Sequence, residues 1–219
     1  MKKHLFLFLI FVLLMGSSSI AKEEIEPSFI GKDDKFKKSG EISINDYNIV
    51  VSDVMTYEEV LLEISRDNNI SVENVKDNLL KRSSDIKEEI SIKASSNTYR
   101  TITKRFQVTS VYKPELKFYC RTSEGGTMWG IKEVININMN RIYNSISKQF
   151  TGTIFCNLED AGTIYYTIDG DFYNFGTTTV DMGGSVSIGV GVSGSTTFSI
   201  SEASNYYATV WTEGRYKIG

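Results

Sequence analysis

The chain has 219 residues, with 24 Lys and Arg against 27 Asp and Glu and a net charge of −3. Mild acidity argues against nucleic acid and anionic lipid as partners, because both are bound mainly through positive charge. The single histidine, His4, lies in a leader. A chain that loses the leader therefore has no imidazole for a Ser-His-Asp or Cys-His pair, a histidine general base or a His-ligated zinc.

Met1-Lys2-Lys3 is a positive start, Leu5 to Met15 is an unbroken apolar run, and Gly16 to Ala21 supplies small residues for cleavage. This is the pattern of a signal peptide over residues 1–21. The run is about half the roughly 20 residues needed to span a bilayer. The reading is export into the extracellular space, with no integral membrane segment after cleavage and a charge of −5 once Lys2 and Lys3 are gone. Neither cysteine follows the cleavage site, so a lipid-anchoring cysteine is absent there.

Residues 22–40 are charged and short of large apolar side chains, and read as a disordered leader. Residues 41–95 form a helical-hairpin segment. Ile42, Ile44, Tyr47, Ile49 and Val51 give a weak strand pattern over 41–54. Thr56 and Glu59 make a capping box, which predicts a helix from Tyr57 with Val60, Leu61 and Ile64 on one face. Asp67-Asn68-Asn69 ends it, Ser71 caps a second helix carrying Val72, Val75 and Leu79, and Ile86, Ile90 and Ile92 suggest a closing strand.

Composition shifts near residue 95 to Thr, Ser, Gly and aromatic residues. Over 96–219 the expected strands are 100–112, 115–121, 127–138, 150–158, 163–168, 172–180, 185–192, 196–200 and 206–216. Turns are expected at Ser123 to Gly126, Glu159 to Gly162, Asp169-Gly170-Asp171, Gly183-Gly184, Ser193-Gly194-Ser195 and Glu213-Gly214. Short strands with no helical pattern between them predict a mainly β fold. The expectation is an antiparallel β-sandwich, jelly-roll-like, preceded by the small helical or α+β segment. Cys120 and Cys156, 36 positions apart in an exported chain, predict a disulfide that would contribute about 3 to 4 kcal/mol, the alternative being two reduced, buried cysteines in neighbouring strands.

Two resemblances accompany this reading. The order strand, helix, helix, strand over 47–92 resembles a LysM module, a small peptidoglycan-binding fold. It is carried by Tyr47, Ile49, Val60, Ile64, Ile70-Ser71-Val72, Asn78-Leu79, Asp85-Ile86, Ile90 and Ile92. Ser52-Asp53-Val54 departs from the Gly-Asp-Thr turn of such modules, and Glu88 or Glu89 stands where they carry glycine. Residues 97–219 resemble an uncharacterised family of small exported proteins from low-G+C Gram-positive bacteria. Tyr112-Lys113-Pro114 through Cys120, Ser147 to Gly152, Gly170 to Asn174, Gly176 to Thr179 and Ser204 to Tyr207 carry it. That resemblance brings no activity with it and implies only an exported β domain behind a short helical segment; the LysM likeness implies the cell wall as partner.

Gly189 to Gly194 fits the spacing G-x-G-x-x-G, but the expected strand on its C-terminal side removes the helix N-terminus that a dinucleotide site needs. Asp169 and Asp171 offer too few oxygens with their neighbours for calcium. Glu124, Glu133, Glu159, Asp160, Asp169 and Asp171 could in principle supply a glycosidase carboxylate pair, and no spacing singles one out. The expectation is a protein with no catalytic residues, no metal and no cofactor.

Candidate ligand-binding residues are the aromatics Trp129, Tyr165, Tyr173, Tyr206 and Trp211, able to stack on sugar rings of peptidoglycan or a surface glycan. Adjacent rings such as Tyr165-Tyr166 and Tyr206-Tyr207 must point to opposite strand faces. The alternative is a membrane-active β-pore former. Its hairpin would be 185–200, with Val186, Ile188, Val190, Val192, Phe198 and Ile200 on one apolar face opposite Ser and Gly.

Overall fold

The structure, a computed structural model, describes residues 49–82, 97–181 and 187–218. The expected signal peptide and leader, the start of the expected 41–54 strand, the expected 85–92 strand and Gly183-Gly184 turn, and Val186 lie outside the described residues. The elements are β1 (Ile49–Val51), α1 (Tyr57–Asn68), α2 (Val72–Arg82), β2 (Thr98–Arg105), β3 (Glu115–Gly125), β4 (Met128–Asn140), β5 (Ile142–Tyr143), β6 (Ile146–Ser147), β7 (Gln149–Asp160), β8 (Thr163–Asp181), β9 (Ile188–Gly189) and β10 (Ser193–Lys217).

The predicted capping box forms. Thr56 N–H donates to Glu59 Oε2 at 2.7 Å and Glu59 N–H donates back to Thr56 Oγ1 at 3.3 Å. Asn69, in the left-handed conformation at φ 53°, ends α1, and the Ser71 hydroxyl accepts from Asn74 N–H at 3.2 Å to start α2.

The fold is mainly β and antiparallel. One sheet runs β1-β2-β3-β4-β9; the other is built from β7, β8 and β10. Apart from β9, sequential strands pair within each sheet. β10 pairs with β8 along most of its length, while its first residues, Ser193 to Phe198, pair with the far edge of β7, so the three strands close on one another. The inner faces share one core. Phe118, Cys120, Val134 and Ile137 of the first sheet lie in it with Phe150, Ile154, Cys156, Tyr166, Phe172 and Phe198 of the second, the arrangement of a sandwich.

The helices cover the other face of the first sheet. Val60, Leu61 and Ile64 of α1 and Val75 of α2 form a second cluster with Tyr99 on β2, Tyr119 on β3 and Ile135 on β4. Lys117 Nζ bridges Glu63 Oε1 at 2.5 Å and Asp67 Oδ2 at 2.7 Å, and the Tyr119 hydroxyl donates to the same Asp67 oxygen. β1 pairs with β2, placing Ile49 opposite Lys104. The closing strand expected at 85–92 lies outside the described residues, and the strand that pairs with β1 is β2; all described residues fall in one compact unit.

Several predicted breaks are strand. Asp169-Gly170-Asp171 is no turn but the middle of the 19-residue β8. Gly170 faces Gly152 of β7 in the ladder, and a Cβ on Gly170 would lie 2.3 Å from Thr151 O. The glycine serves a close strand crossing. Gly214 likewise lies inside β10, where a Cβ would meet the Tyr166 ring. Residues 201–205, between the expected strands 196–200 and 206–216, belong to β10, which bulges there with Glu202 and Asn205 both at φ 54°.

Over the described residues 187–200 the expected hairpin does not form. β9 is two residues long and pairs with β4 in the first sheet; Val190 and Gly191 turn, and the chain enters the second sheet at Ser193. Ile188 and Phe198 are core residues, Ile200 is half-buried, and Val190 and Val192 are exposed. The alternation is therefore split between two sheets and presents no continuous apolar face.

The predicted disulfide is absent: Cys120 and Cys156 are free and fully buried. They stand on facing sheets as small apolar fillers of the core. Burial pushes the Cys156 thiol from 9.0 up to about 12 and Cys120 upward as well; Tyr99 and Tyr216, ordinarily at 10.0, also rise to about 12 through burial. The folded chain thus holds these protons where the unfolded chain releases them. Stability should be unaffected by these groups below pH 9 and fall from there to about pH 12. Melting temperatures between pH 7 and 12 check this; a flat curve would mean the groups reach solvent. A thiol reagent at pH 8 should modify neither cysteine in the native chain and both in denaturant without reductant, whereas a bridge would leave both unmodified.

Candidate functional site

The second sheet has one face in the core and one open. On β8, Ile164, Tyr166, Ile168 and Phe172 are buried, so Tyr165, Thr167, Asp169, Asp171 and Tyr173 point outward. Register adds their neighbours. Trp211 of β10 lies opposite Asp169, Thr209 opposite Asp171, Tyr206 opposite Tyr173 and Arg215 opposite Tyr165; on β7, Thr151, Thr153 and Phe155 stand opposite Asp171, Asp169 and Thr167.

Four of the five aromatic candidates therefore share one outer face. Trp211 is 62 % exposed and Tyr206 56 %. Tyr206 packs edge-on against Tyr173 with ring centres 6.0 Å apart, and Tyr165 against Phe155 at 6.2 Å. Tyr207 and Tyr166 point the other way into the core side, as adjacency predicts. Trp129 stands apart, half-buried on β4 in the first sheet with the Arg100 guanidinium 5.0 Å from its ring centre.

Polar groups on this face are oriented. The Tyr206 and Thr209 hydroxyls lie 2.8 Å apart, and Thr209 Oγ1 donates to Asp171 Oδ1 at 2.5 Å. Tyr165 donates its hydroxyl to Glu213 Oε2 at 2.6 Å, and that bond raises its pKa. The Arg215 guanidinium, paired with Glu159 at 2.9 Å, sits 4.8 Å from the Tyr165 ring centre. At one end of the face the rings are thus held by hydrogen bonds and a cation; at the centre Trp211 lies open beside Asp169. Such a surface offers apolar faces to C–H groups and carboxylates to hydroxyl groups.

Phe155, Thr209 and Glu213 belong to this surface and were not singled out by sequence; register alone brings them in. Of the six acids that could have supplied a glycosidase pair, Glu124, Glu133 and Glu159 are ion-paired with Arg100, Arg121 and Arg215. Among the described residues no group of three or more His, Cys, Asp or Glu side chains could hold a metal ion. No described helix is long and apolar enough to cross a membrane. In the LysM-like segment, Val60 and Ile64 are core residues under the sheet, and Asn78 and Leu79 are half-buried on α2.

Compared with known proteins, the chain matches no protein-family profile, no curated protein and no solved structure.

Proposed function

We propose that this chain is an exported, non-enzymatic binding protein of the bacterial cell surface or medium that takes up a glycan, in the first instance that of the cell wall. The observation that carries this reading is the open face of β7, β8 and β10, where Trp211, Tyr206, Tyr173 and Tyr165 stand with Asp169 and Asp171. A sugar ring pairs an apolar face with a rim of hydroxyl groups, and this surface offers the complement of both. The signal-like residues 1–21 support export.

The experiment is co-sedimentation of the chain from Lys22 onward with insoluble peptidoglycan. Trp211→Ala and Tyr206→Ala should each weaken binding by about tenfold, the size expected for a central aromatic contact. Both side chains are mostly exposed, so melting temperature should stay within a degree or two of the parent. Unchanged binding by both variants would remove the site from this face. Absence of binding by the parent would overturn the wall as ligand.

A further inference from the structure

Arg141 follows the last residue of β4. Its carbonyl accepts from the Tyr112 hydroxyl at 2.8 Å and from Lys148 N–H at 3.3 Å, which fixes the backbone there. Its side chain is different from those of the other arginines in the sheets. Arg100, Arg105, Arg121 and Arg215 each hold a glutamate. Among the described residues the Arg141 guanidinium holds none, and its Nε–H is buried without an acceptor. Desolvation lowers its pKa. A desolvated, unpaired guanidinium is unfavourable unless an anion completes it.

Arg141 lines two adjoining clefts, of about 490 Å³ and 390 Å³. The larger lies between one face of α2, the end of α1, β4 and the last part of β8. Asn74, Asp77, Asn78 and Lys81 line it at helical spacing, so one side of α2 forms a wall. Buried Asn68 Oδ1 lacks a donor at the same place. Asp67 does not compete for Arg141, because its carboxylate is taken by Lys117 and Tyr119. The lining carries Arg141 and Lys81 against Asp77 and Asp67, with Lys117 shared between Asp67 and Glu63, so positive and negative charges balance. With two carboxylates already on the wall, a singly charged carboxylate meets less repulsion there than a dianionic phosphate.

We propose that this cleft is a second binding site, separate from the aromatic face, which takes a hydroxyl-bearing carboxylate of sugar-acid size with its carboxylate on Arg141. The guanidinium fork matches a carboxylate in a bidentate manner. The carboxamides of Asn74 and Asn78 serve the hydroxyl groups, being both donors and acceptors. The cleft volume is within the range of small-ligand pockets.

The test is a ¹H–¹⁵N titration of the chain from Lys22 onward with D-glucuronate, with D-glucose and inorganic phosphate in parallel. Glucuronate should shift the Arg141 Nε–H and the Asn74 and Asn78 side-chain amide signals saturably, while glucose and phosphate leave them in place. Arg141→Gln should weaken glucuronate at least about tenfold, and Arg141→Lys, which keeps the charge and loses the fork, should weaken it measurably. Asn74→Asp, exposed in the first turn of α2, should also weaken it by repulsion and provides a variant whose folding is not at issue. The proposal is overturned if glucuronate at tens of millimolar leaves these signals unmoved, if glucose or phosphate shifts them equally, or if the variants bind as the parent does.

Discussion

Gly152→Ala should cost about 3 to 5 kcal/mol, enough to remove much of the folded population of a domain of ordinary stability. Gly152 has φ +152°, and a Cβ there would lie 2.2 Å from Asp169 O, 2.6 Å from the Gly170 Cα and 2.9 Å from the Phe150 ring. The first two are backbone atoms of the paired strand. They can retreat only by breaking the β7–β8 ladder, which carries the core and the open aromatic face together. Phe150, fully buried over the two glycines, packs in turn against Phe172, tilted, and Phe198, edge-on, with ring centres at 4.9 Å and 5.5 Å. The control is Gly125→Ala at the exposed end of β3, where the nearest neighbour of a Cβ is Met128 O at 3.8 Å; it should change stability by less than about 0.5 kcal/mol. Urea unfolding of the two variants beside the parent decides the matter. Equal midpoints for both would show that the crossing of β7 and β8 is not tight.

Gly152 and Gly170 also mark where reading the sequence stops. The capping box at Thr56, the end of α1 within Asp67 to Asn69 and the turn at Ala161-Gly162 were legible because each is decided by residues within four positions. Glycine inside β8 and β10 was misread as punctuation because its reason lies across the sheet. Gly170 answers to Gly152 and Phe150, and Gly214 to the Tyr166 ring. Period-2 alternation over 185–200 carried the same ambiguity. It says which residues share a face within a strand, but not that Ile188 joins β4 while Thr196 joins β7.

The candidate face shows the limit in another form. Tyr206 and Trp211 are five positions apart and would point to opposite sides of a regular strand. The register shift between Tyr206 and Ala208 resets the phase and brings both rings outward. Ring type and the split of adjacent tyrosines were readable, whereas the juxtaposition depends on a bulge no local pattern announced. Arg141 was unreadable for a related reason. Its distinction is a missing partner, and every other arginine paired in the sheets finds its glutamate on another stretch of chain.

Removing residues 22–95 should leave a β region that does not fold as a soluble monomer. The sequence suggests a boundary near residue 95, and such a truncation is the obvious way to separate a wall-binding helical segment from the sandwich. The cost falls on the first sheet. Tyr119 is fully buried and Tyr99 and Ile135 nearly so beneath α1 and α2. Exposing three large side chains forfeits roughly 1.5 to 3 kcal/mol each, a total comparable with the stability of a whole domain. Loss of β1 also frees the edge of β2 along Ile102 to Lys104, and an unpaired edge beside an apolar face favours association. Asp67 and Glu63 leave as well, so Lys117 loses both carboxylates and the Tyr119 hydroxyl loses its acceptor. Size-exclusion chromatography and thermal melting of residues 96–219 against 22–219 measure the effect. Aggregation or a non-cooperative melt is the expected result, and a soluble monomer melting like the parent would establish the β region as independent. If the expected result holds, loss of wall binding on truncation would report unfolding and not the removal of a site, which is why single substitutions at Trp211 and Tyr206 carry the functional test.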